Sequence, residues 1–175
     1  MENIDQYVNK MTLIVGDTNS GKTRRTERIL KLFLTKGFAE EIAIIDLAPD
    51  PIRGIGGKMQ PPSGHPLFYL TTHIYAPRLM GADENHTEKL ARTNAENIEQ
   101  LFSKVEELKK KILFVNDASL YLQAGDPDRF MTMLMAASTQ IINAYYGKTF
   151  ADSRLTRRER KRIEDLMKQC DRIIT

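Results

Sequence analysis

One segment narrows the folds open to this chain more than any other. Met11–Val15 is a short apolar run with β-branched members, and it leads straight into Gly16-Asp17-Thr18-Asn19-Ser20-Gly21-Lys22-Thr23. Ile29, Leu30, Phe33 and Leu34 follow at helical spacing, with Arg24, Arg25, Arg28 and Lys31 between them. Strand, glycine-containing turn and amphipathic helix in that order make a βα unit, which needs further units to cover its apolar faces. Gly16 and Gly21 admit backbone conformations closed to residues with a Cβ, so successive N–H groups can converge on one anion. The N-terminus of the following helix adds its dipole to the same point.

The eight residues match G-x-x-x-x-G-K-[ST] at every fixed position, and the chain resembles P-loop NTPases (the Walker A signature) from here on. The resemblance implies a nucleoside triphosphate, ATP or GTP, held by Gly16, Asp17, Thr18, Asn19, Ser20, Gly21, Lys22, Thr23 and Arg24. It implies that Lys22 reaches the β- and γ-phosphates and that Thr23 ligates Mg²⁺. The implied fold is three-layer α/β, with a mainly parallel sheet and helices on both faces.

The remaining pattern points to the same class. Ile42–Ile45, Leu67–Thr71, Ile112–Val115 and Arg172–Thr175 read as strands. Residues 85–109, 127–137 and 155–169 read as helices, and residues 1–10 as a lead-in containing a helical turn. Thr139–Asn143 reads as a strand, with one continuous helix over 127–146 as the alternative. Strands alternating with helices imply βαβ units with right-handed crossovers, in a single domain over 1–175. Between them lies 47–66, with five prolines and four glycines, expected as a long structureless loop.

Ligands of open α/β sheets sit beyond the C-terminal strand ends. That rule selects Gly16, Asp46, Asn116-Asp117 and Asn143. Asp46 and Asp117 each follow an apolar run, so each is a candidate for the Mg²⁺ site and for positioning the attacking water, beside Lys22. IAIIDLAPD resembles the strand-Asp-x-x-Pro stretch of the MinD/ParA branch, and NSGKT the form seen in MobB-like GTPases. The chain lacks the second lysine of the ParA loop, since Asp17 and Thr18 stand there, and it lacks N-K-x-D, of which Asn143 is a partial echo. Arg53, Lys58 and Arg78 are candidate second phosphate contacts.

Composition excludes little else. No apolar run approaches a membrane span, and the polar start is not a signal peptide. The lone Cys170 suggests a reducing, cytoplasmic setting. His65, His73 and His86 lack metal-ligand spacing. Residues 154–162 carry a dense basic run. It reads as the solvated face of a helix, with nucleic-acid or acidic-partner contact as the lesser alternative. The expected function is therefore Mg²⁺-dependent NTP binding and hydrolysis, as a switch or assembly NTPase with a protein partner or homodimer. A small-molecule kinase is the alternative.

Overall fold

A computed structural model describes residues 2–175. Six strands form one all-parallel sheet: β1 (Met11–Gly16), β2 (Ile42–Asp46), β3 (Phe68–Thr71), β4 (Ile112–Asn116), β5 (Thr139–Tyr145) and β6 (Arg172–Ile174), in the order β3-β2-β4-β5-β1-β6. β2, β4 and β5 are buried along their whole length. This is why they read as near-continuous apolar runs: helices cover both faces of a parallel sheet.

The pleat divides those side chains into two cores. On one face Ile14, Ile44, Phe114 and Ile141 meet Ile29, Leu30 and Phe33 of α1 (Lys22–Thr35), together with Ile4 and Tyr7 of the N-terminal turn. On the other face Leu13, Ile45, Val115 and Ile142 meet α3 (Glu84–Leu108), α5 (Pro127–Leu134) and α6 (Arg154–Met167). Full burial of a side chain such as Leu30 or Phe33 contributes about 1.5–3 kcal/mol. Two one-turn helices complete the set, α2 (Pro77–Met80) and α4 (Ser119–Leu122). Neither has enough residues for a periodic sequence signal.

The chain leaves β1 through α1 across one face, and reaches β4, β5 and β6 through α3, α5 and α6 across the other. The connections therefore diverge at β1, and the crevice opens at its C-terminal end, beside the ends of β5 and β4.

Residues 139–145 are strand, which settles the earlier alternative. The preceding helix ends at Leu134, earlier than its spacing suggests, because the Gln140 side-chain amide donates to the carbonyls of Leu134 (2.9 Å) and Ala137 and so caps its last turn. The 47–66 segment is not structureless. Ile52 and Ile55 pair through both backbone hydrogen bonds, at 2.9 and 3.0 Å. Arg53 and Gly54 between them have φ of +51° and +74°, the left-handed pair of a tight hairpin turn. Lys58 Nζ ties the loop back to the Ala48 carbonyl (2.6 Å) and to Thr71 Oγ1 (2.9 Å).

Candidate functional site

The Gly16–Thr23 loop joins the end of β1 to the start of α1. Asn19 and Gly21 have φ of +56° and +88°, which turns the chain back over the helix N-terminus. The N–H groups of Asn19, Gly21, Lys22 and Thr23 meet no acceptor among the described residues. Such a cluster of free donors needs a ligand or water. A Cβ on Gly16 would lie 2.5 Å from Ser20 Oγ, so a larger residue there would force that side chain to turn. Lys22 folds over the loop, donating from Nζ to the Asp17 carbonyl at 2.6 Å. Its partial burial lowers its pKa, opposed by the charges of Asp117 and Asp17.

Asp17 faces away from the anion site. Its carboxylate accepts from the N–H groups of Lys148 (3.0 Å) and Thr18 (2.7 Å) and from the Thr149 hydroxyl. These bonds hold its pKa down at about 2. The loop is thereby tied to residues 147–149, which follow β5, and Thr18 Oγ1 meets Thr149 Oγ1 at 2.8 Å.

Behind the loop runs a chain of buried polar groups. Thr23 Oγ1 donates to Asn116 Oδ1 at 3.3 Å. Asn143 Nδ2 donates to the same oxygen and to Thr26 Oγ1, both at 2.9 Å, while Asn143 Oδ1 accepts from the Asp117 N–H at 2.8 Å. Asn116 Nδ2 donates to Asp46 Oδ1 at 2.8 Å. Asp46 is fully buried, and each carboxylate oxygen already accepts two hydrogen bonds: Oδ1 from Asn116 and the Ala48 N–H, Oδ2 from the Met59 N–H (2.6 Å) and the Tyr69 hydroxyl (2.7 Å). Its acceptor positions are spent inside the protein. The bond to Asn116 leaves that amide's oxygen toward Thr23.

Asp117 stands immediately beyond β4, with φ of +58°. Its Oδ1 is covered yet meets no hydrogen-bond partner among the described residues. Burial pushes its pKa up to about 6, against the pull of Lys22. Asp117, Lys22 and the phosphate-type loop line one cavity of about 470 Å³.

The far wall of that cavity is built on an ion pair. Arg78 Nη1 and Nη2 contact Glu159 Oε1 and Oε2 at 2.9 and 3.0 Å. The guanidinium lies 4.1 Å from the centre of the Phe150 ring and 5.2 Å from that of Tyr145. Gln123 Nε2 donates to Glu159 Oε2 at 2.7 Å, and Gln123 Oε1, also buried, is left without a partner.

The structure thus brings Thr18–Arg24, Asp117 and Asn143 around one crevice, with Gly16 and Asp17 outside its lining. Asn143 is locked within the buried chain, with both ends of its amide occupied. Asp46 lies one layer behind it. Of the loop cations, Lys58 and Arg78 line the cavity, each already bonded to the protein; Arg53 sits exposed at the hairpin tip. The basic helix is mostly paired: Arg158 with Glu88, Arg157 with Asp152, Lys161 with Asp165, and Arg162 on the Leu122 carbonyl.

Gln123, Tyr145, Phe150 and Glu159 belong to the site and escaped the sequence-based reading, whereas Asn116 is among its strand-end candidates. Glu159 did carry a signal. It is the one acid inside 154–162 and falls between Leu155 and Ile163 at i,i+4 spacing, on the buried stripe of its helix. Among the described residues no cluster of three or more His, Cys, Asp or Glu is arranged to hold a metal, and no helix is long and apolar enough to cross a membrane. No family model and no curated protein matches this sequence.

Proposed function

We propose that the chain binds a nucleoside triphosphate with Mg²⁺ on the Gly16–Thr23 loop and hydrolyses its γ-phosphate, as a P-loop NTPase. The observation that carries the reading is the pair formed by the free N–H donors of Asn19, Gly21, Lys22 and Thr23 and the unpartnered Oδ1 of Asp117, all on residues that line the same crevice. The donors suit phosphate oxygens, and Lys22 supplies the cation beside them. Thr23 Oγ1, which donates to Asn116 Oδ1 over 3.3 Å and keeps its own lone pairs, is the protein oxygen that fits a Mg²⁺ ion. The ion would neutralise phosphate charge when bound. The Asp117 carboxylate is the acceptor left to orient a water and take its proton.

A switch role is supported by the contact of the 47–66 loop with the same network. Met59 is held by Asp46, and the Gly57 carbonyl lies 3.4 Å from Asn116 Nδ2. A ligand that moves Asn116 therefore pulls on this loop. Transfer to a second molecule instead of water is favoured by a separate observation, the space beside Gln123.

The test is equilibrium dialysis of ATP and GTP with Mg²⁺ against the protein and Lys22→Ala. Loss of the charge-assisted contact should weaken binding by about tenfold or more. Equal binding by the variant overturns the reading. Limited proteolysis within 47–66, with and without nucleotide, tests the switch: unchanged cleavage rates exclude it.

A further inference from the structure

We infer that the part of the cavity walled by Arg78, Leu120, Gln123, Tyr145 and Phe150 is the subsite of a second, uncharged small molecule that donates hydrogen bonds, and that one of its hydroxyls takes the γ-phosphoryl group in place of water. The inference rests on the nucleotide reading above.

Two buried acceptors without partners among the described residues, Gln123 Oε1 and Asp117 Oδ1, belong to side chains that line this space. Buried polar atoms are nearly always paired, so two orphans of the same kind on one cavity mark the complement they await: a ligand that donates. The orientation of the Gln123 amide is not free. Nε2 is held on Glu159 Oε2 at 2.7 Å, and reversing it would set two oxygens against each other. Gln123 is 1% exposed and lines the cavity, so a group that pairs its oxygen comes from the cavity side.

The charges present exclude an anionic ligand here. The charge of Arg78 is matched by Glu159, to which both terminal nitrogens donate, and its flat face is covered by Phe150. Lys22 is engaged with the phosphate loop. With Arg78 neutralised by Glu159, this wall offers no net positive charge to a carboxylate or a second phosphate. Pro77, Leu79 and Leu120 line the same wall and suit a carbon skeleton. The occupant is therefore a neutral polyol or alcohol of small size.

Asp117 lies between this subsite and the phosphate loop, one short helix before Gln123. The chemical step balances without any further reagent. The acceptor hydroxyl gives its proton to Asp117 Oδ1 and forms the new bond from its oxygen to the γ-phosphorus. The bond from that phosphorus to the β,γ-bridging oxygen breaks, and the nucleoside diphosphate leaves with the electron pair.

Glycerol, a small neutral triol, serves as the probe. The full chain turns over ATP or GTP with Mg²⁺ in aqueous glycerol, and ³¹P NMR measures glycerol phosphate against inorganic phosphate. The expected product ratio exceeds the molar ratio of glycerol to water by about tenfold, the value of one good hydrogen bond. Gln123→Met keeps the shape and removes the acceptor, and should bring the ratio down to the molar ratio. Leu79→Trp, at a half-buried position, should do the same by filling the space, and it covers the case in which Gln123→Met fails to fold. A wild-type ratio at or below the molar ratio, or an excess that survives in the folded variants, overturns the acceptor subsite. No turnover with nucleotide demonstrably bound overturns it too. Failure of the wild type to bind either nucleotide instead overturns the reading beneath it.

Discussion

Asn116 Nδ2 lies 2.8 Å from Asp46 Oδ1, so the carboxylate ending one strand orients the amide ending its neighbour. Asp46 does this from a fully buried position in which all four of its hydrogen bonds come from the protein. Asp46→Asn should turn one acceptor into a donor facing the Met59 N–H or the Tyr69 hydroxyl. The expected cost is about 2–4 kcal/mol, from one or two buried donors left unpaired. Urea unfolding checks it, and the loss should be the same in EDTA as in Mg²⁺. A loss seen only with Mg²⁺ would make Asp46 a metal ligand instead.

The Asp117 carboxyl, raised to about 6, gives the metal-free protein a pH signature. Between the unfolded value near 4 and about 6 the native state holds a proton that the unfolded chain has lost. Stability then falls as pH rises through that window. From pH 5 to pH 8 the wild type should lose about 1 kcal/mol more than Asp117→Asn. Urea unfolding of both proteins in EDTA at the two pH values measures this. Parallel pH dependences would show that the buried carboxyl is not perturbed.

Arg78 and Glu159 should be far more costly to separate than to replace together. Arg78→Ala leaves the buried Glu159 carboxylate with only Gln123 beside it, a loss of about 3–5 kcal/mol. Arg78→Met with Glu159→Leu should recover most of that stability, because the desolvation of two charges disappears with them. A double-mutant cycle by chemical denaturation gives the coupling. Additive single effects would contradict the assignment of a buried, interdependent pair.

Gly147 packs against the phosphate-type loop from outside. A Cβ there would lie 2.3 Å from Asp17 Cγ and 2.7 Å from Asp17 Cα. Gly147→Ala should therefore displace Asp17 from the Lys148 and Thr149 donors and loosen the loop. Nucleotide affinity is expected to drop by about tenfold, the value of one lost hydrogen bond. The unfolding midpoint should move little, since the site lies in exposed loops. Equilibrium dialysis alongside thermal unfolding separates the two effects, and unchanged affinity counts against a role for this brace.

The class of the fold was legible because its signals are local. β1, β2 and β4 are apolar runs of about strand length, and α3 shows its buried stripe in the spacing of Leu101 and Val105. The turn of Gly16–Thr23 is written in two glycines and a lysine. Less legible were elements whose ends depend on remote partners. Residues 127–137 are periodic throughout, yet the helix stops at Leu134 because Gln140 takes its carbonyls. The 47–66 loop reads as disorder by composition, while its order comes from a hairpin turn and from contacts to Asp46, Ala48 and Thr71.

The ranking of the two aspartates shows the same division. Asp46 and Asp117 each follow a buried run, and the apolar runs before them do not tell them apart. Strand order does. β5 stands between β1 and β4, so Asn143 bridges from Thr26 to Asn116 and to the Asp117 backbone, while β2 lies one strand further out and Asp46 points into packed protein. By itself the sequence determined the longer strands and helices and where a tight glycine-containing turn joins β1 to α1. These follow from the period of burial and from residues that permit a turn. The tertiary structure alone decided which carboxylate faces the cavity, that Arg78 is held by a glutamate 81 positions away, and that Gln123 is left with an unpaired oxygen. Those outcomes depend on which strands stand side by side, and pairing between distant segments leaves no periodic trace in either one.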